Sequence, residues 1–144
     1  MTGNRDGRIV TFYSYKGGTG RTMALANVAW ILAANGHRVL AVDWDLESPG
    51  LHRYFAPFIH RGALETHGGV IDLIQEFEWA STQDDPGRPD GWHEQFARVQ
   101  RYAFPLEWAH FPGDGRLDLL FAGREHPDYT ASLFGLRWDE FYER

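Results

Sequence analysis

The sequence contains no cysteine. That excludes a disulfide frame and any thiolate metal site, and it fits a cytoplasmic protein. Long apolar runs are missing as well. The longest, Met23 to Ala34, is interrupted by Asn27 and is too short to span a bilayer. The first eight residues, MTGNRDGR, are polar and cannot form the apolar core of a signal peptide. Positive charge is not in excess. The formal net charge is −6, which argues against a general affinity for nucleic acid or anionic membranes. Seven histidines are present, but none stands in an H-x-x-x-H or H-E-x-x-H arrangement, so scattered surface histidines explain them better than a metal site. No Ser/His/Asp order suggests a hydrolase triad, and no internal repeat or low-complexity tract occurs.

What remains is ordinary globular material. The 144 residues, 43% hydrophobic and 24% charged, suffice for one compact domain with a core. Arg8 to Ser14 is rich in β-branched and aromatic residues and reads as a strand. Thr22 to Asn35 reads as a helix apolar nearly all round, and so buried, with Gly36 as its stop. Arg38 to Asp43 is a nearly continuous apolar run that suits a parallel strand covered on both faces. Strand, glycine turn, helix and strand together make a βαβ unit. Further on, Pro49-Gly50 marks a turn, and Leu51 to Phe55 reads as a short helix. Val70, Leu73, Ile74 and Phe77 place an amphipathic helix over 70–79. Residues 81–91 read as a surface loop, Trp92 to Arg101 as helical, and Arg116 to Ala122 as another core strand. Phe134, Trp138, Phe141 and Tyr142 share one helical face.

The chemistry concentrates in two places. Gly17, Gly18 and Gly20 let the backbone curl so that its N–H groups converge on an anion, and the following helix adds its dipole. Thr22 offers a hydroxyl of the kind that binds Mg²⁺. Arg21 supplies a planar, forked cation where the usual G-x-x-x-x-G-K-[ST] phosphate loop has lysine. Tyr15 stands where that pattern has its first glycine. The second place is Asp43-Trp44-Asp45, directly after the second strand. In parallel sheets the strand C-terminal ends line the ligand crevice, so both carboxylates would lie near bound phosphates. The plainer reading is that an Asp pair at a strand end caps the next turn. A cluster of Arg53, His60 and Arg61 with Phe55 and Phe58 could be an interaction patch; a solvated segment is the simpler account.

Lys16-Gly-Gly-Thr-Gly-Arg-Thr22 resembles the deviant Walker A motif, K-G-G-x-G-K-[ST], of ParA/MinD-like P-loop ATPases. In that class the first-glycine position is not glycine, so Tyr15 conforms. The early lysine reaches across a nucleotide-sandwiched dimer to the partner's phosphates, which implies that part for Lys16. By the same resemblance Lys16, Gly17, Gly18, Thr19, Gly20, Arg21 and Thr22 hold nucleotide. Asp43 sits with Thr22 near Mg²⁺, and Asp45 positions the attacking water. The wider chain is similar to the N-terminal ATPase region of large bacterial members that share K-G-G-T-G-R-T and D-W-D-L-E-x-P-G, some fused to effector modules. In these, arginine at position 21 belongs to the pattern. Arg116 to Pro127 resembles their next core strand, and Trp138 to Tyr142 the helix before their Walker B strand.

The resemblance implies an α/β P-loop NTPase fold, a parallel sheet flanked by helices. Residues 1–144 would form the N-terminal portion of one ATPase domain, incomplete for want of the Walker B strand. It implies ATP and Mg²⁺ as cofactors and a homodimer formed through nucleotide, with a protein partner or fused effector module possible. DNA and membrane are not indicated. Two functions follow: an ATPase switch, or a non-catalytic nucleotide-sensing module that binds without turnover. An inert truncated product is a weaker third.

Overall fold

The computed structural model describes residues 7–83, 87–136 and 138. Helix α1 (Arg21–Ala34) runs antiparallel to strand β1 (Arg38–Val42), joined by a tight turn in which Gly36 is left-handed. A 3-10 helix over Leu51–Phe58 and a short helix α2 (Ala63–Thr66) lead to α3 (Val70–Thr82). Two 3-10 turns, Trp92–Gln95 and Val99–Tyr102, precede β2 (Phe104–Pro105), β3 (Arg116–Leu120) and α4 (Tyr129–Phe134).

The sheet order is β1-β3-β2. β1 and β3 are parallel, with Val39 beside Leu117 and Val42 beside Leu120, whereas β2 pairs antiparallel with β3. Both faces are covered, as the apolar runs in β1 and β3 require. Side chains of successive strand residues point to opposite faces. Val39, Ala41, Leu117 and Leu119 join one core with Ala26, Ala29 and Ala33 of α1 and with Leu51 and Phe55. Leu40, Val42 and Leu120 join the other with Val70, Ile71 and Ile74 of α3. Trp30 fastens the first core at its rim, with ring centroids 5.1 Å from Phe58 and 5.0 Å from Phe111.

Three expectations need correction. Arg8 to Ser14 forms no strand; the segment is unpaired and largely exposed, with Ile9 97% accessible. A strand needs a ladder partner, and none of the described strands pairs with it. Helix α1 is not buried all round. Ala26, Ala29 and Ala33 make one buried stripe, while Met23, Val28, Ile31 and Leu32 are exposed because no described element packs over that face. Residues 92–101 form two short 3-10 turns instead of one helix. There, Trp92 stacks parallel on Phe77 of α3 at 5.8 Å, and the Arg88 guanidinium lies 4.2 Å over the Trp92 ring. These aromatic contacts dock the segment onto α3 without a continuous helix.

The amphipathic helix over 70–79 is present and runs on to Thr82, so the expected loop begins only after it. Of that loop, residues 84–86 lie outside the described residues. So do Phe141 and Tyr142 from the proposed terminal helical face.

Candidate nucleotide site

Residues 15–20 form a chain of bends and turns that delivers Gly20 as the residue preceding α1. Gly18 and Gly20 have φ of 70° and 79°, a region that a β-carbon makes costly. Nothing lies within 4 Å of a β-carbon built on Gly17 or Gly18, so their backbone is open to an approaching ligand. The loop is internally braced. The Ser14 hydroxyl accepts from the Lys16 amide at 3.1 Å and donates to the Lys16 carbonyl at 3.0 Å. Thr19 Oγ1 lies 3.5 Å from that same carbonyl. The Lys16 side chain is exposed, and Thr22 is half-buried in the first turn of α1. The Arg21 guanidinium turns back and donates from Nη1 to the Ser14 carbonyl at 3.0 Å.

Topology brings the second motif to the same end of the molecule. A 14-residue helix is about 21 Å long at about 1.5 Å per residue. It returns through a short turn into a strand of 5 residues, so the start of α1 and the end of β1 face the same edge of the sheet. Asp43 follows β1 and continues its ladder, donating its N–H to the Leu120 carbonyl at 2.9 Å.

Asp43 is the buried charged residue of this region, 6% exposed. Its Oδ2 accepts from the amides of Gly50 and Leu51, both at 3.0 Å, and its Oδ1 accepts from the Asp45 amide at 3.3 Å. Asp45 is exposed, and its Oδ1 accepts from the Ser48 amide at 3.2 Å. Both aspartates therefore cap the 43–51 loop, as the plainer reading expected. Capping does not take up every lone pair, because each carboxylate carries about four acceptor positions. Between them Trp44 is exposed, whereas Leu46 is buried in the α3 core.

One residue of this region gave no signal in the sequence. Tyr129, at the start of α4, donates its hydroxyl to the Leu46 carbonyl at 2.8 Å across 83 positions of chain. Burial, then the charges of Asp43, Asp45 and Asp72, push the Tyr129 hydroxyl up to about 12, so it remains a donor at neutral pH. A contact so distant in sequence leaves no local pattern.

The other candidates stay apart. Arg53, His60 and Arg61 are exposed and Phe55 is core, which matches a solvated segment. Among the described residues no group of three or more His, Cys, Asp or Glu could hold a metal ion. No described helix is long and apolar enough to cross a membrane.

Residues 10–120 match the CobQ/CobB/MinD/ParA nucleotide-binding domain, a stretch that includes both motifs. The chain belongs to that family. As a CobQ/CobB/MinD/ParA domain, it is a ParA/MinD-like P-loop protein of α/β fold. It is similar to the succinoglycan biosynthesis transport protein ExoP of Rhizobium meliloti (strain 1021), at 33% identity over 79 residues, 55% of this chain and 9% of that protein. It is also similar to an uncharacterized ATP-binding protein of Methanocaldococcus jannaschii, at 43% identity over 69 residues, 48% of this chain and 24% of that protein. The matched stretches are thus a quarter or less of either relative's length. No solved structure matches the chain.

Proposed function

We propose that the chain binds ATP at Lys16 to Thr22 and acts as a nucleotide-driven ATPase switch that forms a homodimer in its ATP state. The observation that carries this reading is the open glycine turn at the head of α1, on the same sheet edge as Asp43 and Asp45. Amides of residues 17–22 and the α1 dipole would hold the phosphates, with Arg21 as the cation. Lys16, exposed on the loop, would reach the phosphates held by a second copy. Asp45, also exposed, would orient the attacking water.

The residues fit Mg²⁺, because the Thr22 hydroxyl and the Asp43 carboxylate are hard oxygen donors. They would hold the ion, which when bound neutralises charge on the phosphoryl oxygens. Asp43 already accepts three backbone N–H bonds, which suits contact through the ion's waters better than direct ligation.

Mixing ATP and Mg²⁺ with the purified protein should give binding, phosphate release and a dimer by sedimentation. Asp45→Ala should abolish release while keeping binding. Lys16→Ala should keep binding in the monomer and lose the dimer; unchanged dimerisation would count against this reading. One observation favours the second reading, binding without turnover: the Arg21 guanidinium turns back to the Ser14 carbonyl, which takes one of its five N–H donors. Tight ATP binding with no phosphate release would select it.

A further inference from the structure

The loop that carries Asp45 is exposed on both sides of its centre; the Asp43 and Asp45 carboxylates hold the amides of Asp45, Ser48, Gly50 and Leu51, and one side chain anchors the centre. Trp44, Asp45, Glu47 and Ser48 are exposed, while the Leu46 side chain is 6% exposed in the core formed by Val70, Ile71, Leu120 and Ala122. A side chain anchored in a core can still rotate about its own backbone. What fixes the peptide plane here is the Tyr129 hydroxyl on the Leu46 carbonyl, at 2.8 Å. The Tyr129 ring is itself held. Its edge lies 3.1 Å from where a Gly123 β-carbon would sit, so the glycine makes room for it. The carboxylates of Asp43 and Asp45 lie close enough to bear on the Tyr129 hydroxyl.

We propose that Tyr129 is a positioning residue: by holding the Leu46 carbonyl, its hydroxyl fixes the Leu46–Glu47 peptide, one residue beyond Asp45, and so the course of the loop that places the Asp45 carboxylate toward the nucleotide. The link to turnover rests on the ATPase reading above; the clamp on the loop does not.

The test is Tyr129→Phe, which keeps the ring and removes only the oxygen, with the exposed Tyr13→Phe as control. Without nucleotide, hydrogen exchange at the amides of Ser48, Gly50 and Leu51 should speed up by about three- to tenfold, the range expected when one hydrogen bond limits local opening. Exchange in α1 and β3 should not change. With ATP, kcat should fall by about tenfold while KM moves less than about twofold, since the Lys16 to Thr22 loop is untouched. Unchanged exchange in the 45–51 segment would overturn the clamp. Faster exchange with unaltered kcat would overturn the positioning role. If the unmodified protein releases no phosphate, the hydrolysis reading fails, positioning for turnover falls with it, and exchange alone judges the clamp.

Discussion

Asp43 has two assignments that pull on the same atoms. Its carboxylate organises the 43–51 loop through three amides, and under the proposed function it would also serve the bound Mg²⁺. Removing it would leave the buried Leu51 amide without an acceptor, where a hydrogen bond to a charged group is worth about 1.5–3 kcal/mol, while the part-buried Asp45 and Gly50 amides could turn to water at smaller cost. Asp43→Ala should therefore lower unfolding free energy by about 2–4 kcal/mol in urea titration, even without nucleotide. Asp45→Ala, at an exposed site with one such bond, should cost less than about 1 kcal/mol. Similar losses from the two would contradict the distinct roles assigned to them. The Asp-x-Asp spacing made both residues legible in sequence. Their division into a buried organiser and an exposed partner was not, because it depends on how the chain returns at Gly50 and Leu51. Tyr129 was illegible for a related reason, its partner being on a remote turn.

At the level of elements, local pattern carried the reading wherever one neighbour was enough. α1, β1, β3 and α3 stand close to where periodicity and apolar runs place them. The segment from Arg8 to Ser14 has strand composition, yet composition supplies no pairing partner, and its backbone remains outside the sheet. The α3 docking point was also hidden. The amides of Val70 and Ile71 donate to the Phe121 and Ala122 carbonyls, both at 2.9 Å, so the first turn of α3 is seated on the end of β3. Gly69 permits that approach, since a β-carbon there would fall 2.2 Å from the Phe121 oxygen. Gly69→Ala should cost about 3 kcal/mol and lower the calorimetric melting temperature by several degrees. Gly17→Ala, with open space around it, should shift stability by less than about 1 kcal/mol. Equal effects would mean that α3 is not seated as described.

At the scale of the whole molecule, α1 presents an exposed apolar face. Val28, Ile31 and Leu32 lie at one helical spacing, and Ile31 is 58% exposed. Ile9, Val10, Tyr13 and Tyr15 add apolar surface on the preceding segment. A net charge of −6 opposes association but does not cover apolar area. The protein should self-associate with rising concentration in sedimentation velocity, without nucleotide. Ile31→Lys should reduce this while leaving the fold intact by circular dichroism; undiminished association would place the sticky surface elsewhere.

The sheet's two margins are chemically unequal. On the far side of β3, β2 is only two residues long and ends in Pro105, which lacks the N–H that another ladder would need. On the near side, β1 has five residues and no proline. Among the described strands, lateral extension is thus polar in direction: blunted at Pro105, permitted at Arg38 to Val42. A newcomer there would end alongside Asp43 and so border the proposed nucleotide site.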